Sequence, residues 1–348
     1  MPSVDSEIGS RQTGERRSRG GDARTGLSHH DAKGMLKPMF ATLTLNPAVD
    51  CTATVRGPLR INSIQSVVGE VRTPGGKGIN VAKMIAANGK RVVAGGLVGE
   101  AEAGWFEPEL ENMGIVPRFL KVPMPTRANV MVTDCSGHEL KLNRPGFPGL
   151  KPDWQALEKY CRGLVRGAGI VILSGSLPAS FPVTTYARLV RLFRRMGRAV
   201  GLDTSGPPLV RALLEKPDVL KPNREELGQC FHKTITGPRV LLWALRKLLL
   251  HHEAVVVSDG ARGAFFAAGG GILFARSPRV AVVDTTGAGD ALLGQFCCDY
   301  FPRRVIDTAV AARAVAAGAA AVETSGTPAL RLRRVMRLSA QAHVSGIV

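Results

Sequence analysis

From Phe40 to Gly260, short apolar runs alternate with helical patterns, and this alternation constrains the fold more than any other feature of the chain. The runs are FATLTL (40–45), RVVAGGLVG (91–99), GIVILSG (169–175), AVGLDTS (199–205), DVLKPN (218–223) and AVVVSDG (254–260). Each is apolar nearly throughout and ends in small or polar residues, the pattern of strands buried on both faces. Between them the spacing predicts helices over 79–89, 152–166, 183–196, 224–231 and 238–251. Strands that alternate with helices form a parallel sheet covered on both faces, so the fold class is α/β. Ligands of such sheets bind beyond the carboxyl ends of the strands, where Ser174, Asp203, Asn223 and Ser258 fall.

Two stretches break the alternation. Residues 51–73 and 126–144 alternate apolar and polar residues at period two, and CSGHE supplies a turn in the second. They read as half-exposed antiparallel strands, a small sheet that is either a lid over the site or an ordinary edge hairpin.

The 348 residues are 45% hydrophobic but only 5% aromatic, so Val, Ala and Leu must build the core. Residues 1–38, rich in Gly, Ser, Arg and Asp, lack apolar periodicity and are expected to form a disordered basic tail. The tail does not account for the net charge of +18, which is spread over the domain. The densest cluster, RLVRLFRRMGR (188–198), keeps its arginines largely off the apolar stripe of a helix, as a solvated face does. No zinc-finger spacing or aromatic RNA-binding motif accompanies it, so nucleic acid is not an expected partner. The six cysteines show no CxxC pair and read as reduced thiols. No run of about 18 uncharged apolar residues is present, and no signal-peptide pattern, so a cytoplasmic location is expected.

Two glycine-rich loops carry the chemistry. TPGGKGINVAKMIAANG (73–89) sets Gly75, Gly76 and Gly78 before a helix. A Walker P-loop would need Gly at 71 and Ser or Thr at 78, where Val71 and Gly78 stand, and GxGxxG is also missing. What remains is backbone that can approach a ligand closely at a helix N-terminus. In VVDTTGAGDALLGQF (282–296), Gly287, Ala288 and Gly289 lead into a helix starting near Asp290. The free N–H groups there make an anion hole. The Asp290 carboxylate either caps the helix or faces a ligand as a base.

In order along the chain stand TLTLNPAVD (42–50), GGKGINVAK (75–83), TRANV (126–130), LSGSLP (173–178), LDTSG (202–206), LKPNREEL (220–227), VVSDGARGA (256–264), DTTGAGDALLGQF (284–296) and VAAGAAAVETSGT (315–327). This series resembles the PfkB/ribokinase family of carbohydrate kinases, and within it the phosphofructokinase and tagatose-6-phosphate kinase branch. The resemblance covers about residues 40–328 and implies a ribokinase-like three-layer sandwich over 39–340, with lid segments at about 51–73 and 126–144.

By position, the resemblance implies that Asp290 is the base and that Gly287, Ala288 and Gly289 hold the transferring phosphoryl charge. Asn223 and Glu226 match an N-x-x-E motif that positions Mg²⁺ through water. Lys221 approaches the ATP phosphates, and Ser258, Gly260 and Gly263 match the nucleotide loop. Asp50, Gly76, Lys77 and Asn80 match residues at the sugar. Arg127 and Lys141, brought side by side by a hairpin, are expected to clamp a phosphate already on the sugar, with Arg144 as a possible third member. Lys141, Arg144 and Ser66 depart from residues frequent in the branch, which leaves the particular sugar phosphate open. Asp284 and Thr285 either help seat a monovalent cation or cap a strand end. The implied reaction is ATP- and Mg²⁺-dependent phosphorylation of a sugar phosphate, fructose 1-phosphate ahead of fructose 6-phosphate and tagatose 6-phosphate. A second copy is expected to pair through the β lid, with no membrane partner. The reading from another class is a non-catalytic basic binding protein on a kinase scaffold.

Overall fold

The computed structural model describes residues 39–136, 138–269, 271–324 and 331–347. The expected tail, 1–38, and the end of the last motif lie outside the described residues.

Seven strands run parallel: β1 (Met39–Thr44), β4 (Val92–Gly99), β5 (Val116–Val122), β8 (Ala168–Ser174), β9 (Ala199–Asp203), β10 (Val219–Leu220) and β11 (Ala254–Ser258). Antiparallel β12 (Gly263–Ala268), β13 (Gly271–Arg276) and β14 (His343–Ile347) extend one edge, giving the order β14-β13-β12-β11-β10-β9-β8-β1-β4-β5. Residues on the two sides of each strand feed two separate cores. Ala41 and Leu43 of β1 pack with α3 (Trp154–Leu164), α4 (Thr185–Arg195), α5 (Gly206–Leu213), α6 (Arg224–Phe231) and α7 (Pro238–Leu249). Phe40 packs on the other side with α1 (Lys77–Ala87), α2 (Glu100–Asn112), α8 (Ala288–Tyr300) and α9 (Thr308–Ala321). A last helix, α10 (Leu332–Ser339), packs on α9. The expected three-layer α/β sandwich is therefore present. The boundary drawn at 340 leaves out β14, which pairs with β13 inside the main sheet.

The second sheet holds β2 (Ala48–Val55), β3 (Val67–Gly75), β6 (Arg127–Thr133) and β7 (Glu139–Leu142), in the order β3-β2-β6-β7. Its hairpins β2–β3 and β6–β7 are antiparallel, as the period-two patterns predict. They meet through a parallel pair, β2–β6, because both strands leave the same carboxyl edge, after β1 and after β5. In that pair Asp50 lies opposite Asn129.

Part of the arginine cluster on α4 is engaged within the chain: Arg191 pairs with Glu215 and Arg188 stacks 3.7 Å over the Trp154 ring. Among the described residues no helix is long and apolar enough to cross a membrane.

Candidate active site

A cavity of about 370 Å³ opens where the carboxyl ends of β1, β9, β10 and β11 face the second sheet. Asp50, Gly76, Lys77, Asn80, Arg127 and Lys141 line it from the lid and α1. Lys221, Asn223, Glu226, Ser258, Gly287, Gly289 and Asp290 line it from the loops after β10, β11 and β13. Residues up to 240 positions apart in the chain, from Asp50 to Asp290, thus converge on one space.

Asp290 sits in the first turn of α8, whose N-cap is Gly287 at φ 78°, a left-handed conformation that suits glycine. No side chain caps this helix, so its leading N–H groups face the cavity without a carboxylate over them. Of the two sequence readings for Asp290, capping therefore falls away. Its Oδ2 instead accepts a hydrogen bond of 2.9 Å from Asn80 Nδ2 on α1. Asp290 is only 5% exposed. Burial, reinforced by nearby Asp203, pushes its pKa up to about 6. A carboxylate so tuned is ionised at neutral pH yet takes up a proton readily.

Asp203, fully buried at the end of β9, holds two ammonium groups beside it. Its Oδ1 lies 3.5 Å from Lys77 Nζ and 3.3 Å from Lys221 Nζ. Burial alone would raise the Asp203 pKa, but the two lysines outweigh it and hold the group below its ordinary value. The same carboxylate drives Lys77 upward, so this cation stays charged against Asp203. Lys221 reaches the α8 N-terminus: a Cβ on Gly289 would stand 3.3 Å from its Nζ. Asp203 was legible only as a strand end, because its partners are 126 and 18 residues distant in sequence.

Asn223 and Glu226 form a capping box on α6: Glu226 N donates to Asn223 Oδ1, and Asn223 N donates to Glu226 Oε2, both at 2.8 Å. The box does not use Glu226 Oε1. Among the described residues no cluster of three or more His, Cys, Asp or Glu exists to cage a metal. That donor set fits Mg²⁺, which keeps most of its waters and takes one or two carboxylates plus phosphate oxygens.

Asn223 and Ser258 also line a second, open cleft of about 850 Å³ between α6 and the 258–262 turn, which includes Gly260. Asp259 pins this turn, accepting from Arg224 Nη2 and Arg262 Nη2 at 2.7 Å each. Gly263 starts β12 directly behind the turn.

On the lid side, Asp50 lies against Gly75, where a Cβ would stand 1.9 Å from Asp50 Oδ2; only glycine fits. Burial raises the Asp50 pKa, against a 2.9 Å hydrogen bond from Asn129 Nδ2 to its Oδ1.

Arg127 and Lys141 line the same cavity but are not hairpin neighbours: β7 is four residues long and Lys141 pairs with Met131. Arg127 lies beyond the end of that ladder. Its guanidinium donates to Asn46 O, Pro47 O and Arg144 O at 3.0–3.2 Å, tying the root of the lid together. Arg144 thus enters through its carbonyl. Lys141 Nζ donates to Asp284 Oδ1 at 2.8 Å and lies 2.9 Å from Glu139 Oε2. Asp284 does not end a strand, since β13 stops at Arg276; its Oδ1 instead closes the turn before α8 by accepting from Thr286 N. Asn129, Asn143 and Thr286 line the cavity too and were missed; Asn129 shares the Arg127 face of β6 at period two, the one signal that marks it.

The model of the pfkB family of carbohydrate kinases matches residues 46–331. A 1-phosphofructokinase of Rhodobacter capsulatus is 37% identical over 257 residues, 73% of this chain and 81% of the relative. A 1-phosphofructokinase of Vibrio cholerae is 32% identical over 263 residues, 75% of this chain and 83% of the relative. The crystal structure of Escherichia coli phosphofructokinase-2 in complex with substrates and products superposes with a TM-score of 0.80 at 27% identity, covering 87% of this chain and 98% of that one. Other structures of that enzyme contain potassium or are of a tetrameric inhibited form.

Proposed function

The chain belongs to the pfkB family of carbohydrate kinases, and from that premise we propose that it transfers the γ-phosphoryl group of ATP to the 6-hydroxyl of fructose 1-phosphate, giving fructose 1,6-bisphosphate and ADP. The observation that carries this reading is Asp290, buried with a raised pKa at an uncapped helix N-terminus and flanked by two cations fixed on Asp203. The sugar phosphate follows the Rhodobacter and Vibrio relatives.

In this mechanism Asp290 Oδ1 or Oδ2 accepts the proton of the attacking hydroxyl. The N–H groups of Gly287, Ala288 and Gly289, with Lys77 and Lys221, hold the charge on the phosphoryl oxygens in flight. Such transfer asks for positioning and charge stabilisation more than for covalent help. One helix terminus supplies base and anion hole together. The nucleotide occupies the cleft beside α6, along Ser258, Gly260 and Gly263, with its phosphates toward Lys221. Asn223 and Glu226 would hold Mg²⁺ through water, and the ion, when bound, offsets phosphate charge. The potassium-bound structure of the Escherichia coli enzyme supports a monovalent cation as a further ligand here.

Asp50 and Asn80 take the sugar hydroxyls, with Gly76 and Lys77 beside them. Arg127 and Lys141 present the positive wall to the existing phosphate. Arg127 does so from a fixed position, since three carbonyls hold its guanidinium while two of its five N–H groups remain for an anion. Lys141 does so by exchange from Asp284 or Glu139. The exposed apolar side chains of the second sheet, Val67, Val68, Val71, Leu140 and Leu142, suit pairing with a second copy.

The test is ADP release measured over fructose 1-phosphate, fructose 6-phosphate, tagatose 6-phosphate and unphosphorylated fructose. The reading requires the highest kcat/KM with fructose 1-phosphate. Preference for fructose 6-phosphate would replace the acceptor, and preference for fructose would remove the phosphate wall.

A further inference from the structure

Two carboxylate–amide pairs face each other across the 370 Å³ cavity. Asp290 receives Asn80 Nδ2 at 2.9 Å, and Asp50 receives Asn129 Nδ2 at 2.9 Å. A carboxylate only accepts, so each asparagine must turn its NH₂ group toward its aspartate. Each amide oxygen is then directed elsewhere. Asn80 Oδ1 and Asn129 Oδ1 are both buried and have no hydrogen-bond partner among the described residues. A buried acceptor left unmade is costly, and a bound hydroxyl is the group that would relieve it.

The surroundings of Asn129 fit that need. A small cavity of about 60 Å³ lies beneath the lid, lined by Asp50, Asn129, Lys141, Asn143 and Thr286, residues it shares with the main cavity. It has room for one hydroxyl group and little more. Asp50 and Asn129 are also locked in register across the parallel β2–β6 pair, so neither can shift without the other.

We infer that Asn129 is a substrate-binding and specificity-determining residue: its amide oxygen accepts a hydrogen bond from a ring hydroxyl of the sugar phosphate while its NH₂ holds Asp50. Asn129 is to Asp50 what Asn80 is to Asp290. The acceptor sugar is thus read by two amide oxygens as well as two carboxylates, and a sugar lacking the matching hydroxyl leaves Asn129 unsatisfied. This rests on the sugar-phosphate kinase reading above.

The experiment is a double-mutant cycle between protein and substrate. Wild type and Asn129→Ala are assayed at saturating ATP with fructose 1-phosphate and its 3-deoxy and 4-deoxy analogues. With wild type, one analogue should lose about 10–100-fold in kcat/KM, the range set by a buried acceptor left unsatisfied. With Asn129→Ala, that same analogue should lose less than about threefold relative to fructose 1-phosphate, because the partner is already gone. A residue that only positions Asp50 would lower all three substrates together and leave both analogue penalties intact; that outcome overturns the inference. Asn129→Ser carries the same cycle if the alanine variant does not fold. Should wild type turn out to use fructose 6-phosphate, the kinase-acceptor reading fails by itself, and the cycle with deoxy forms of that sugar still decides the role of Asn129.

Discussion

Replacing Asp290 with asparagine separates catalysis from stability in opposite directions. The carboxyl rises from an ordinary 3.8 to about 6 in the folded chain, first because it is buried and then because Asp203 is near. The unfolded chain therefore loses this proton at lower pH than the folded one. Stability from this group falls as pH climbs from about 4 to 6 and stays lost above that. A difference of about two units corresponds to about 3 kcal/mol. Asparagine keeps the size and still accepts from Asn80 Nδ2, but carries no charge. The Asp290→Asn variant should match wild type in denaturant unfolding at pH 4 and exceed it by about 2–3 kcal/mol at pH 8. Its kcat should fall by about 10²–10⁴-fold, the usual worth of a general base, with the KM for ATP little changed. Wild-type kcat/KM should in turn rise with pH through about 6 as the base ionises. A variant that keeps more than half of wild-type kcat would remove Asp290 from the base role. One that gains nothing in stability between pH 4 and 8 would refute the burial argument.

Lys141→Met should raise the sugar-phosphate KM about 10–100-fold while the KM for ATP stays put, a loss of about 1.4–2.8 kcal/mol; an unmoved sugar-phosphate KM would leave Lys141 as a partner of Asp284 and Glu139 alone. Arg127→Ala should do the same and also lower the melting temperature, since it frees the Asn46, Pro47 and Arg144 carbonyls at the lid root; a change in melting temperature alone would make Arg127 structural. Glu226→Gln keeps an oxygen for the Asn223 N–H of the capping box, so the fold should hold while the Mg²⁺ concentration for half-maximal velocity rises about 10-fold or more; an unchanged Mg²⁺ requirement would take Glu226 out of metal binding. Val71→Asp, at a residue 62% exposed on the lid, should halve the mass seen by light scattering without changing the melting temperature of the domain; an unchanged mass would move any interface away from the lid.

What the sequence made legible was local. The buried strands β1, β4, β8, β9 and β11 stood out because both faces are apolar, and the loops at their ends carry residues that serve no core. β5 was missed because it is an edge strand with only two buried residues and a proline. β12, β13 and β14 were missed because they form an antiparallel edge outside the strand–helix rhythm. Gly75 and Asp290 could be singled out because glycine turns and helix starts advertise themselves; the roles of Lys77, Asn80, Asn223 and Glu226 emerged only through the family resemblance. The long-range partnerships could not. Nothing in the chain near Asp203 announces two lysines, and nothing near Asn129 announces Asp50, since that contact depends on the parallel register of β2 and β6. The hairpin expected to join Arg127 to Lys141 failed for the same reason: period two identifies strands, but the turn length sets which residues face each other.

The proposed reaction places a phosphoryl group on the 6-hydroxyl of fructose 1-phosphate. Phosphorus NMR of the purified protein with ATP, Mg²⁺ and fructose 1-phosphate reads it directly, with Asp290→Asn as the control. The account predicts that a second sugar phosphomonoester signal, that of fructose 1,6-bisphosphate, appears in step with ADP and is nearly lost in the variant. ADP with inorganic phosphate but no bisphosphate, or equal bisphosphate formation by Asp290→Asn, would contradict it.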